Sequence, residues 1–117
     1  MLLYSKIYNS MGFFFLTFSI IFNIAANGFF KTASLRESGS AKWVLFGVGL
    51  FIGLLNTLAY LKALESMKLG IAYAIFAASS TIGIALVSVF LFHEGMSTQK
   101  IVALLVISAG LLLLWKS

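Results

Sequence analysis

The sequence predicts an all-α membrane protein: a bundle of four transmembrane helices in a single domain over residues 1–117. Three observations predict it. Hydrophobic residues make up 62% of the chain and charged residues 9%, against about 25% charged in an ordinary soluble domain. The apolar residues gather into four segments, 11–30, 43–61, 70–92 and 101–115, and a spanning helix needs about 20 apolar residues, with a range of about 17–25. Within the segments apolar and polar residues do not alternate as they must in a membrane β-barrel; Leu111, Leu112, Leu113 and Leu114 run together. Backbone groups in lipid need internal hydrogen-bond partners, which leaves helices.

The first segment has some features of a secretory leader. Its apolar run is long, however, it carries Asn23 and Asn27, and Lys31 follows without a small-residue cleavage pattern, so it reads as a span. Residues 32–42 hold Ser34, Ser38, Gly39 and Ser40 and read as a solvated loop. The second segment contains Gly49 and Gly53, a GxxxG pair with Gly47 nearby; such a pair serves packing within one subunit as well as between two. The connections at 61–69 and 93–99 are tight, and short connections make consecutive helices antiparallel neighbours. The fourth segment is short and reaches spanning length if its helix starts nearer Ser97. With no proline in the chain, any kink must come from glycine, serine or threonine.

Composition also excludes functions. The chain has no cysteine, one histidine, and three acids, all glutamate: Glu37, Glu65 and Glu94. That set offers no thiol chemistry, no metal constellation, no cofactor site and no Ser-His-acid arrangement, so an enzyme is not expected. The net charge of +5 comes from residues between the apolar segments, which argues for the loops of a membrane protein and against nucleic-acid binding. Lys6, Lys62, Lys68 and Lys116 fall on one side of the bilayer; Lys31, Arg36, Lys42 and Lys100 fall on the other. Orientation follows an excess of basic residues on one side, and here the sides are even. A local feature can still fix one orientation; the sharper expectation is insertion both ways and an antiparallel homodimer. Four helices alone leave little packing around an enclosed solute pathway, which also favours two copies. The small residues Ala103, Ser108, Ala109 and Gly110 offer a face where helix backbones can approach in lipid.

Polar groups inside a membrane are costly and tend to face a bundle interior or a cavity. Ser19, Asn23 and Asn27 recur every four residues and so share a helix face, which Lys31 extends to the membrane boundary. Asn56, Thr57 and Tyr60 in the second segment, and Tyr73, Ser79, Ser80, Thr81 and Ser88 in the third, add further polar groups. Hydroxyls in a membrane helix commonly bond back to their own helix or glue helices together. A midspan amide has donors and acceptors that are hard to satisfy in a dry interface, so Asn23 points equally to a substrate pathway. Lys62 and Glu65 are spaced as a surface pair on a helix, and Glu94, beside His93, is placed to cap or anchor the fourth helix.

The stretch Gly70-Ile71-Ala72-Tyr73-Ala74-Ile75-Phe76 resembles the signature that opens the third helix of small multidrug resistance transporters. The resemblance covers nearly the whole chain, including a basic residue, Lys31, eight positions after Asn23. It implies an antiparallel, dual-topology homodimer in a bacterial inner membrane, or a heterodimer with a paralogue, with a substrate chamber between the first three helices of both copies. It places Asn23 where the family has its membrane-embedded Glu, and Tyr73 and Phe76 on the aromatic wall. It places Ala103 and Gly110 on the dimer contact of the fourth helix. Two departures follow. Asn23 does not ionise, so the family's proton exchange is in doubt, and Ala78-Ser79-Ser80 replaces the glycine-rich bend of the third helix. The functional expectation is a transporter of a small polar or cationic, amphiphilic solute by alternating access, with Asn23, Asn27, Tyr73 and Phe76 as substrate-binding residues. The alternatives are a subunit that flips lipid-linked sugars and a non-transporting subunit of a membrane complex.

Overall fold

Four helices follow one another in the order α1 (Leu2–Leu35), α2 (Ser40–Leu64), α3 (Leu69–Phe90) and α4 (Thr98–Lys116). They are drawn from a computed structural model, which describes the backbone of residues 2–116 and the side-chain surroundings of residues 11–114. The side chains of Lys6, Trp115 and Lys116 lie outside the described residues. Among the described residues, three helical stretches are long and apolar enough to cross a membrane: Met11–Leu35, Ser40–Leu64 and Leu69–Phe90. The apolar part of α4, Thr98–Leu114, is shorter and sits at the lower limit of spanning length.

α1, α2 and α4 are longer than the apolar segments that predict them, whereas α3 ends at Phe90, two residues before its segment does. The loop expected over residues 32–42 is shorter: only residues 36–39, with Ser38 and Gly39, fall between α1 and α2. The hydroxyls at the N-terminal end of that stretch are absorbed by α1 itself. Thr32 Oγ1 donates to the Gly28 carbonyl at 2.9 Å and Ser34 Oγ to the Lys31 carbonyl at 2.6 Å, while Ala33 is buried. At the α4 start the cap is Ser97 rather than Glu94. Ser97 Oγ accepts from the Lys100 backbone N–H at 3.2 Å, the third helical position, as an N-cap serine does. The short fourth segment thus gains its missing turn at Thr98.

α1 lies at the centre. It packs along α2 and against α3; α4 packs only on α3, and α2 barely meets α3. The result is a slab of 56 × 35 × 18 Å, less than two helix diameters of about 10–12 Å in its thin direction. Glycines set the close approaches. A Cβ at Gly49 would stand 2.6 Å from the Phe30 ring, and one at Gly83 2.2 Å from Ile24 Cδ1. Gly49 therefore serves the α1–α2 contact inside the chain, whereas Gly47 and Gly53 face open space. The tightest core is Leu16, Ala63 and Ile75, with Phe13, Tyr60 and Phe76 packed on it. α3 runs unbroken through Ala78, Ser79 and Ser80; Ser80 is buried and its hydroxyl has no hydrogen-bond partner among the described residues.

Candidate substrate site

Ser19, Asn23 and Asn27 share a face of α1, yet their surroundings divide them. Ser19 is fully buried and donates to Asn56 Oδ1 on α2. It ties two helices together and is closed to any solute. Asn23 is half-buried at the centre of the candidate span Met11–Leu35, and Asn27 is exposed. Asn27 Nδ2 donates to the Asn23 backbone carbonyl at 2.9 Å and to Asn23 Oδ1 at 3.3 Å. The two amides form one unit. An amide has two N–H donors and a carbonyl acceptor, so the Asn23 amino group and the Asn27 carbonyl oxygen keep bonding capacity. Among the described residues they have no protein partner.

The other polar groups of the spans are largely self-satisfied. Thr57 donates to the Gly53 carbonyl at 3.0 Å, Thr81 to Ala77 at 2.7 Å, Ser88 to Ala85 at 2.7 Å and Ser108 to Leu104 at 2.8 Å. All three carboxylates lie beyond the spans: Glu37 before α2, Glu65 at the α2 C-cap, and Glu94 between α3 and α4. Glu65 pairs with Lys62 at 3.8 Å. Among the described residues no three His, Asp or Glu side chains come together to hold a metal ion.

Tyr73 is 59% exposed, and Phe76 is half-buried on the Leu16–Ala63–Ile75 core. Their rings lie 6.4 Å apart, and the Tyr60 ring stands 5.3 Å from that of Phe76. α1 and α3 run in the same direction, with Leu16 beside Ile75 and Ile24 beside Gly83. At about 1.5 Å per residue, this register puts Phe76 roughly 9 Å below Asn23 along the bundle axis and Tyr73 roughly 13 Å below it. Within one chain the amide pair and the aromatic trio are therefore at different depths.

Of the amide pair, Asn27 opens on a groove between α1 and α3. Its volume is about 200 Å³, and Asn27, Gly28, Lys31, Val87, Ser88 and Glu94 are among its walls. Its outer end is an ion pair, Lys31 Nζ to Glu94 Oε1 at 3.6 Å, with both side chains a little over 40% exposed. The turn after α3 places Glu94 there. His93 adopts φ 53°, a left-handed conformation that histidine enters more readily than most residues, and the Glu94 N–H donates to the Ser88 carbonyl at 3.0 Å. The pair was legible in principle: alternating helix directions put the end of the first span and the end of the third on the same side. Tyr60 and Gly28 carry no comparable signal in the sequence.

On α4, Ala103 is exposed at the edge of a 300 Å³ groove between α3 and α4. Gly110 is exposed, and a Cβ there would meet nothing within 4 Å. Both small positions are open to a neighbour.

A family profile described as Small Multidrug Resistance protein matches residues 11–107, from the start of the first candidate span into α4. No solved structure matches the chain.

Proposed function

Because the chain belongs to the small multidrug resistance family of multi-pass, oligomeric membrane transporters, we propose that it moves a small polar or amphiphilic solute by alternating access, with an amide pair where a proton-coupling carboxylate would serve. The observation that carries this reading is the Asn23–Asn27 unit. It sits at midspan, open on one side, with one donor group and one acceptor unused. A midspan site of this kind recognises hydrogen-bonding groups. Tyr73 and Phe76 add aromatic faces, which attract a cation by about 0.5–2 kcal/mol. With no acid inside the spans, a fixed positive charge has no counter-ion at midspan, which favours a polar or zwitterionic head over a strong cation.

The working unit in this reading is an antiparallel pair of identical chains in a bacterial plasma membrane, with Ala103 and Gly110 at the contact. Alternating access is commonly built from inverted repeats around a midplane site, and two oppositely inserted copies supply one. Inversion also accounts for the incomplete site. A rotation that exchanges the two faces about the level of Asn23 lifts the partner's aromatic trio to roughly 9–13 Å above that level, while Asn27 lies roughly 6 Å above it. The two groups then approach in depth, as they do not within one chain. The even split of basic residues supports such insertion.

The test is flux in proteoliposomes for a panel of guanidinium compounds, quaternary amines and polar amphiphiles. Asn23→Ala and Asn27→Ala are expected to lower transport of the carried solute at least about tenfold, the scale of one lost buried polar contact. Transport that survives both substitutions unchanged would remove the amides from the mechanism. Orientation reporters at the C-terminus should report both directions; a single direction would point to an oppositely biased partner chain.

A further inference from the structure

The groove at Lys31 and Glu94 does not end at Asn27. A second groove of about 290 Å³ shares Ile24, Gly28, Val87 and Phe92 with it. That second groove is walled by Ala25, Phe29, Thr32 and Leu91 and is almost wholly apolar. Gly28 lies where the two meet, and a Cβ there would meet nothing within 4 Å. One continuous crevice therefore runs from a charged end, at the membrane-boundary ends of α1 and α3, over a glycine floor into an apolar channel. Ile24 marks its inner limit, about 10 Å deeper than Lys31 at 1.5 Å per residue.

The charged end is poorly self-satisfied. At 3.6 Å the ion pair is longer than a charge-assisted hydrogen bond of about 2.7–2.9 Å, and half-exposed pairs of this kind contribute little. The ammonium has three donors and the carboxylate two acceptor oxygens, and among the described groove residues Asn27 keeps a free amide carbonyl beside them and Ser88 a hydroxyl with acceptor capacity. Opposite charges side by side complement a ligand that also carries both. We infer that the crevice binds one amphiphile with a zwitterionic head, its phosphate on Lys31, its ammonium on Glu94 and its apolar tail laid over Gly28. This deepens the transporter reading by naming a ligand class and a lateral route from the bilayer to Asn27.

The experiment measures binding rather than flux. Delipidated protein in detergent is offered phosphatidylethanolamine, phosphatidylglycerol of the same chains, or free phosphoethanolamine, and the retained ligand is read by native mass spectrometry. Wild-type protein should retain phosphatidylethanolamine over phosphatidylglycerol by about tenfold, the effect of one charge-assisted contact. Glu94→Gln should erase that preference, and Gly28→Leu, which fills the floor, should release both lipids. Free phosphoethanolamine should fail to compete at equal concentration. Equal retention of the two lipids by wild-type protein overturns the proposal and needs no variant. So does a preference that survives in a Glu94→Gln protein of normal helicity, or free phosphoethanolamine that competes as well as the lipid. A protein that prefers the zwitterionic lipid yet moves no solute would contradict the transport reading alone. One that moves solute without lipid preference would contradict this assignment alone.

Discussion

Between Gly12 and Ile20, one face of α1 is enclosed, while Phe14 and Phe18 point outward. Leu16 is buried with Ala63 and Ile75, Ser19 is bonded to Asn56, and a Cβ at Gly12 would stand 2.2 Å from Ser66 Oγ. Between Asn23 and Lys31 the same helix lies along grooves of about 200 and 290 Å³, and a Cβ at Gly28 would meet nothing within 4 Å. Both halves are largely apolar in sequence and both carry polar residues, Thr17 and Ser19 in the first, Asn23, Asn27 and Lys31 in the second. The difference is what stands opposite. The ends of α2 and α3 close on the first half, whereas α3 stands off the second half beyond the Ile24–Gly83 contact. Polarity in the closed half holds helices together; polarity in the open half is available to a ligand.

Substitutions separate the two halves by effect size. Gly12→Leu should be the most damaging, costing up to about 3 kcal/mol by forcing atoms into a filled site, and Gly28→Leu should cost far less. Equal losses in reversible detergent unfolding would break the comparison. Leu16→Ala should cost about 2 kcal/mol, the low end of the range for such truncations, because a lipid-embedded helix gains no transfer from water. Ser19→Ala should cost about 0.6–1.7 kcal/mol, as interhelical hydrogen bonds do in membrane proteins, and leave transport otherwise intact. Asn27→Ala should change stability by less than about 0.5 kcal/mol, as surface positions do, while lowering flux. If Asn27→Ala unfolds the protein as Ser19→Ala does, the open half is part of the scaffold after all.

Much of the fold was legible because lipid leaves the backbone few choices: four apolar runs without alternation give four helices. The ends were less legible. Thr32 and Ser34 read as loop residues, yet hydroxyls that bond their own helix let it continue. Ser97 is an ordinary serine until Lys100 shows it as a cap. For the site, periodicity correctly put Ser19, Asn23 and Asn27 on one stripe but does not tell which part of a stripe is covered. That depends on Gly83 drawing α3 against Ile24 and on the His93 turn bringing Glu94 to Lys31, contacts between residues more than fifty positions apart. The depth offset between Asn23 and Phe76 likewise follows from the α1–α3 register, which no local pattern encodes.

The central claim is that amides do the work at midspan and no carboxylate couples transport to protons. Its most direct test is flux of the carried solute in proteoliposomes with and without an imposed pH gradient, for wild-type protein and for Asn23→Glu. The account predicts wild-type flux that follows the solute gradient and ignores the pH gradient, and Asn23→Glu flux that becomes driven by it. Wild-type transport driven uphill by a pH gradient would contradict it.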